Sequence, residues 1–186
     1  DPQGNAFYLV LIFSIISDCI DIASSLAMNF PVSWWGYELL MTIYVMSMPL
    51  LAAVWVAYTY VVIHRDYAKE QIRKDIGSLM IPYAVYFMLA VTNPVTGWFF
   101  NLTAEMEYSR GPLFMTMGVG FIMLYSGIGL VLTIANFRQI KPRITGVLIM
   151  AFFVTTACFT WVQLAHPGWL IINASYAVIY VWCDVA

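Results

Sequence analysis

A chain of 186 residues that is 62% hydrophobic and 10% charged, with a formal net charge of −2 and a mean hydropathy of +0.82, is far from the roughly 25% charged residues of a soluble domain. It reads as an integral membrane protein, and a disulfide scaffold, a soluble enzyme and a nucleic-acid-binding domain are excluded as classes. Apolar runs of about 20 residues, enough for a helix to cross about 30 Å of hydrocarbon, recur along the chain, and the strict alternation of a transmembrane barrel is absent, so helices must satisfy the backbone. The expected fold is all-α, a single domain over residues 1–186 made of six transmembrane helices with a short extracellular β-hairpin lid between the third and the fourth.

The first span is expected near Ala6–Met28. Asp1 is not a start methionine, and no signal peptide precedes the span, so a processed or excised fragment is expected. Ser14, Asp18, Asp21 and Ser25 recur at i, i+4, i+7 and i+11 and fall within about 60° of one another on a helix, a polar stripe toward the bundle interior. Asp18 and Asp21 lie about 18 and 22 Å beyond Ala6, near or above the bilayer midplane on the outer side. A charged carboxylate costs roughly 2.5–3.5 kcal/mol at a helix centre. Such a pair requires a cation, a proton or water, and reads either as a ligand site or as a hydrogen-bonded polar core that fixes helix register.

Asn29-Phe-Pro-Val-Ser33 with Trp34-Trp35 forms a turn into an outer aromatic belt before the second span, Gly36–Ile63, which Pro49 should kink. His64 lies at its inner end. A basic segment, Arg65 to Lys74, precedes the third span, Ile76–Trp98, with a second kink expected at Pro82. The loop from Gly97 to Pro112 is the longest. Phe99 to Thr103 and Met106 to Arg110 pair there as a hairpin turned at Ala104-Glu105. Arg110 is placed to meet Asp18 or Asp21, or to pair with Glu38, Glu105 or Glu107 at the rim.

The fourth span, Leu113–Asn136, carries Gly118/Gly120 and Gly127/Gly129, which allow close helix approach. After a second basic segment, Arg138 to Arg143, comes the fifth span, Ile144–Leu164, with Thr156, Thr160 and Gln163 on one face and His166 at its outer end. The sixth, Trp169–Val185, matches it with Asn173, Tyr176, Tyr180 and Asp184. Seven of the eight basic residues lie in the two short basic segments, which places those loops and both termini in the cytoplasm. Cys19, Cys158 and Cys183 read as packing residues rather than metal ligands or a disulfide framework. No helix contains a lysine for a retinal Schiff base, and no hydrolase, metalloprotease or phosphate-loop motif is present. Neither a metal, a cofactor nor catalysis within this chain is expected.

Gly97-Trp98-Phe99-Phe100 followed by Tyr108-x-Arg110-Gly111-Pro112-Leu113, together with the opening Asp1-Pro-Gln-Gly-Asn5 and the six-helix layout, resembles the N-terminal membrane region of bacterial signalling proteins. The likeness is to Firmicute GGDEF-type diguanylate cyclases and, more distantly, to seven-helix sensor regions of histidine kinases. It covers nearly the whole chain. The resemblance implies a sensory input module of the plasma membrane whose last helix passes a signal to a cytoplasmic effector, as a homodimer through that effector. Any cyclase or kinase activity would lie after Ala186. In this reading a small extracellular or membrane-borne ligand is held by Asp18, Asp21 and Arg110, with Trp34, Trp98, Tyr108 and Trp161 as walls and Gln163, His166, Asn173 and Tyr176 as further polar contacts. The alternative is the substrate-binding membrane subunit of a vitamin or small-solute transporter, with Ala23-Ser-Ser-Leu-Ala27 as its docking seam. A proton-coupled carrier lacks visible inverted halves.

Overall fold

A computed structural model describes residues 2–27, 30, 32–103, 105 and 107–165, with the side chains of residues 2, 3, 163 and 165 excepted. Within these residues the chain runs α1 (Pro2–Ala27), α2 (Trp34–Ser47), α3 (Leu50–Ile63), α4 (Lys69–Leu79), α5 (Ile81–Val91), the single turn α6 (Asn93–Thr96), β1 (Phe100–Leu102), β2 (Tyr108–Arg110), a π-helical turn Phe114–Val119 that leads into α7 (Gly120–Ala135), and α8 (Arg143–Ala165). Four stretches, Gly4–Ala27, Trp34–Ile63, Phe114–Ala135 and Arg143–Val162, are long and apolar enough to cross a membrane. The pair α4 and α5, bent by 45°, makes a fifth if it is one span. The sixth expected span lies outside the described residues.

The basic segment before the third span does not stay a loop. Lys69-Glu-Gln-Ile-Arg-Lys is rich in helix formers, and Glu70 and Lys74 stand at i, i+4, so α4 begins at Lys69. The third span ends early, at Val91. Asn93-Pro94 breaks it, and Gly97, at φ 61°, caps α6 in the left-handed conformation that favours glycine.

Both prolines interrupt their helices, and each interruption is repaired by tyrosines from a neighbour. Pro49 has no N–H to give the Val45 carbonyl. That carbonyl accepts the Tyr86 hydroxyl at 2.6 Å, with a longer bond of 3.3 Å from the Met48 N–H, and the adjacent Met46 carbonyl accepts the Tyr83 hydroxyl at 3.1 Å. At the α4–α5 bend, next to Pro82, the helix bond between the Tyr83 N–H and the Leu79 carbonyl is opened. The Tyr125 hydroxyl of α7 stands in the gap. It accepts from Tyr83 N at 3.0 Å and donates to the Leu79 carbonyl at 3.0 Å, which is the insertion that bends a helix rather than merely loosening it.

α3 sits at the centre of the packing, against α1 on one side and α7 on the other, with α8 beyond α7 and α2 against α5. One buried cluster, with Val10, Trp55, Tyr125, Phe152 and Phe153, holds α1, α3, α7 and α8 together, and Trp55 stacks on Phe152 at 4.2 Å. Gly129 sits where a Cβ would enter the Phe153 ring, so α7 and α8 meet closely there. Of the expected small-residue pairs only this glycine makes so tight an approach, for Gly127 faces open space and Gly118 and Gly120 make ordinary contacts. The second cluster, with Tyr37, Met41, Val45, Tyr86, Phe99 and Phe100, joins α2 and α5 to the hairpin. Cys19 and Cys158 are free and exposed on the outer faces of α1 and α8, not packed in the core.

Candidate functional site

The hairpin forms with register Phe100↔Arg110, Asn101↔Ser109 and Leu102↔Tyr108, and Thr103 N–H extends it to the Glu107 carbonyl at 3.1 Å. Its strands are shorter than Phe99–Thr103 and Met106–Arg110, and its turn centres on Glu105. The base of the hairpin is closed by the Gly111 N–H to the Phe99 carbonyl and the Leu113 N–H to the Trp98 carbonyl, both at 2.8 Å, and is tied to α6 by Asn93. Asn93, 1% exposed, accepts the Phe99 and Phe100 N–H groups on Oδ1 at 2.7 and 3.2 Å and donates from Nδ2 to the Phe100 carbonyl at 3.1 Å. Phe99 is buried edge-on against Tyr86, and Phe100 stacks on Tyr108 at 6.1 Å. The hairpin is therefore packed down on the α2–α5 cluster by its own aromatic residues.

Arg110, the isolated cation, is exposed at the end of β2. Its guanidinium lies 5.0 Å from the centre of the Phe114 ring, a cation–π distance, and it bonds the Tyr108 side chain. Burial pushes the Tyr108 hydroxyl above its ordinary value of 10.0; the Arg110 charge and hydrogen bond pull it back, and nearby Tyr37 adds to the rise. Among the described residues Arg110 forms no ion pair. The one that occurs joins Arg65 and Asp66 at 3.9 Å. The expected ion pairs of Arg110 with Asp18, Asp21, Glu38, Glu105 or Glu107 are thus absent, because the Phe114 ring and the Tyr108 phenol, four residues after it and two before it, already hold its charge.

The polar stripe of α1 does turn inward, unevenly. Ser14 is buried and its hydroxyl bonds the Val10 carbonyl at 2.7 Å, while Ser24 and Ser25 bond the Asp21 carbonyl at 2.8 and 2.9 Å. The serine hydroxyls are occupied by their own helix. Asp18 and Asp21 are half-buried. The two oxygens of Asp18 are not equivalent: Oδ1 is shut off from solvent and, among the described residues, meets no hydrogen-bond donor. Glu38 lies on α2, which packs against α1, and is 7% exposed. Asp21 and Glu38 are six and four residues from the turn joining their helices, hence at similar depth, about 9 and 6 Å.

The proposed walls are dispersed. Trp34 is half-buried, edge-on to Trp35 at 4.9 Å, Trp98 is 40% exposed, and Trp161 is 65% exposed on α8. Thr156 and Thr160 are buried but bond the Phe152 and Thr156 carbonyls. The Gln163 side chain, His166, Asn173 and Tyr176 lie outside the described residues. Tyr108 and Arg110 are brought together. Asp18 and Asp21 form a separate group. Sequence reasoning missed Asn93, whose position before Pro94 is a turn signal, and the tyrosines Tyr83, Tyr86 and Tyr125, for which no local signal exists.

Comparison with protein-family models, with curated proteins and with solved structures finds no match. The class the fold defines is a helical protein with four, or with the bent pair five, helices able to cross a membrane among the described residues.

Proposed function

We propose that this chain is a membrane-embedded sensory input module. In this reading the basic loops and both termini face the cytoplasm, the hairpin covers the outer end of the bundle, and a small extracellular or membrane-borne ligand binds in the outer half against Asp18 and Asp21. The observation that carries the reading is the Oδ1 of Asp18, sealed from solvent and without a donor among the described residues, in a helix of membrane length. An ionisable group within a span is kept at a cost and is functional by default, and a buried acceptor without a donor is a place for a ligand that brings one. The favoured ligand is a cation or a molecule rich in hydroxyl or amine donors.

The signal is a population shift between two helix arrangements that differ in affinity for the ligand. The element suited to having two arrangements is the α4–α5 bend, where a single hydroxyl stands between an opened and a closed helix bond. The sixth helix would carry the difference to a cytoplasmic effector, in a dimer.

A metabolite panel tested by thermal shift on the purified protein should yield a ligand whose effect disappears in Asp18→Asn and weakens in Asp21→Asn. Undiminished binding by both variants removes this site. For orientation, in a background without native cysteines, Glu105→Cys should react with an impermeant thiol reagent on intact cells and Gln139→Cys should not. The opposite pattern inverts the topology.

A further inference from the structure

The second polar constellation of the molecule lies at the other end of the long span, where α3 runs into α4. Tyr60 donates to Asp75 Oδ2 at 2.6 Å, and Gln71 Nε2 donates to both oxygens of the same carboxylate at 2.8 and 2.9 Å. His64 stacks on Tyr60 at 4.1 Å. This cluster pins α4 against the end of α3.

Beside it lies a groove of about 280 Å³ lined by Val61, Lys69, Ile72, Arg73 and Ile76. The four α4 residues stand at i, i+3, i+4 and i+7, so they form one face of the helix. Lys69 and Arg73 are one turn apart and exposed, whereas Val61 is buried and Ile72 and Ile76 are half-buried, which gives the groove an apolar floor below two cations. Neither cation is neutralised by the fold: among the described residues neither forms an ion pair, Asp75 is turned to Tyr60 and Gln71, Asp66 is taken by Arg65, and Glu70 does not line the groove. The volume is just below the roughly 300–1,000 Å³ of ligand pockets, which suits a head group whose chains stay in the bilayer.

We infer that this groove is a binding site for an anionic phospholipid, its phosphate held between Lys69 and Arg73 and the start of an acyl chain lying along Val61, Ile72 and Ile76. Two cations at the membrane surface recognise the charge, and the apolar floor has no role for a free phosphate ion. The inference rests on the membrane reading of the helices and is independent of any ligand at Asp18.

The test uses the full chain in detergent micelles, with lipid adducts counted by native mass spectrometry. Short-chain phosphatidylglycerol should bind about 25-fold more tightly than short-chain phosphatidylcholine, about fivefold for each cation. The double variant Lys69→Gln/Arg73→Gln should fall to the phosphatidylcholine level while keeping the parent's melting temperature, and Ile72→Glu should do the same by placing a carboxylate in the groove. Arg138→Gln, in the other basic segment, should bind as the parent does. Equal binding of the two lipids, or undiminished binding by both groove variants, overturns the inference. So does inorganic phosphate that displaces phosphatidylglycerol at equal concentration, which would make this a phosphate-ion site. A sensor reading that fails at Asp18 leaves each of these outcomes unchanged.

Discussion

Arg110 and Asp18 are opposite charges expected at the same end of one bundle, and the fold treats them differently. The cation is at the surface, over the Phe114 ring and bonded to Tyr108. The carboxylate is half-buried, with one oxygen sealed off and, among the described residues, no donor to meet it. Elsewhere the fold does provide for buried polar groups: the Val45 and Leu79 carbonyls, exposed by two helix breaks, each receive a tyrosine hydroxyl. Among the described residues Asp18 Oδ1 shares the lack of a partner with Ser126 Oγ, but of the two only the carboxylate can carry a charge, and that makes Asp18, rather than Arg110, the centre of the proposed site.

If Asp18 is tolerated for function alone, an apolar residue of similar size should stabilise the protein. Asp18→Leu is expected to gain about 2–3 kcal/mol, measured by steric trapping or by reversible unfolding in mixed micelles, and to abolish the ligand response. A loss of stability in this variant would mean that Oδ1 is satisfied in the native protein and that the contrast with Arg110 does not hold.

The converse holds for the tyrosines. Tyr125→Phe removes the hydroxyl that joins Leu79 to Tyr83 and should cost about 1–3 kcal/mol. Unlike Asp18→Leu, it should also alter the α4–α5 bend, which distance measurements between spin labels on Gln71 and Met88 would report. An unchanged bend and unchanged stability would place its cause in Pro82 alone.

What could be read from the sequence divides along the same line. The two proline breaks follow from a missing N–H, and the hairpin follows from Gly97, Gly111-Pro112 and the residues between them, because both are local effects. The identity of the groups that repair the breaks is not local: Tyr86 is 41 residues from Val45, and Tyr125 is 42 from Tyr83. Likewise the charge asymmetry puts Arg110 and the α1 carboxylates at one end of the bundle, but hydropathy fixes depth and not direction around a helix axis. Nothing in the sequence opposed pairing Arg110 with an acid. The nearer Phe114 and Tyr108 hold it instead, since they stand four residues after it and two before it in the chain and are brought together at little conformational cost.

The smallest effect is expected at Arg110 itself. Phe114 is buried but Arg110 is exposed, and a solvated cation over an aromatic ring contributes about 0.5–1 kcal/mol, so Arg110→Ala should lower stability by no more than that. The informative readout is Tyr108. Burial raises its hydroxyl above 10.0 and Arg110 opposes the rise, so removing the guanidinium withdraws the only opposing influence, and Tyr108 should ionise at still higher pH. Carbon-13 labelling of tyrosine Cζ, with the resonance assigned through Tyr108→Phe, follows that ionisation directly. A titration that moves down, or does not move, would mean that Arg110 spends its charge elsewhere, and the acids of α1 would again be the first place to look.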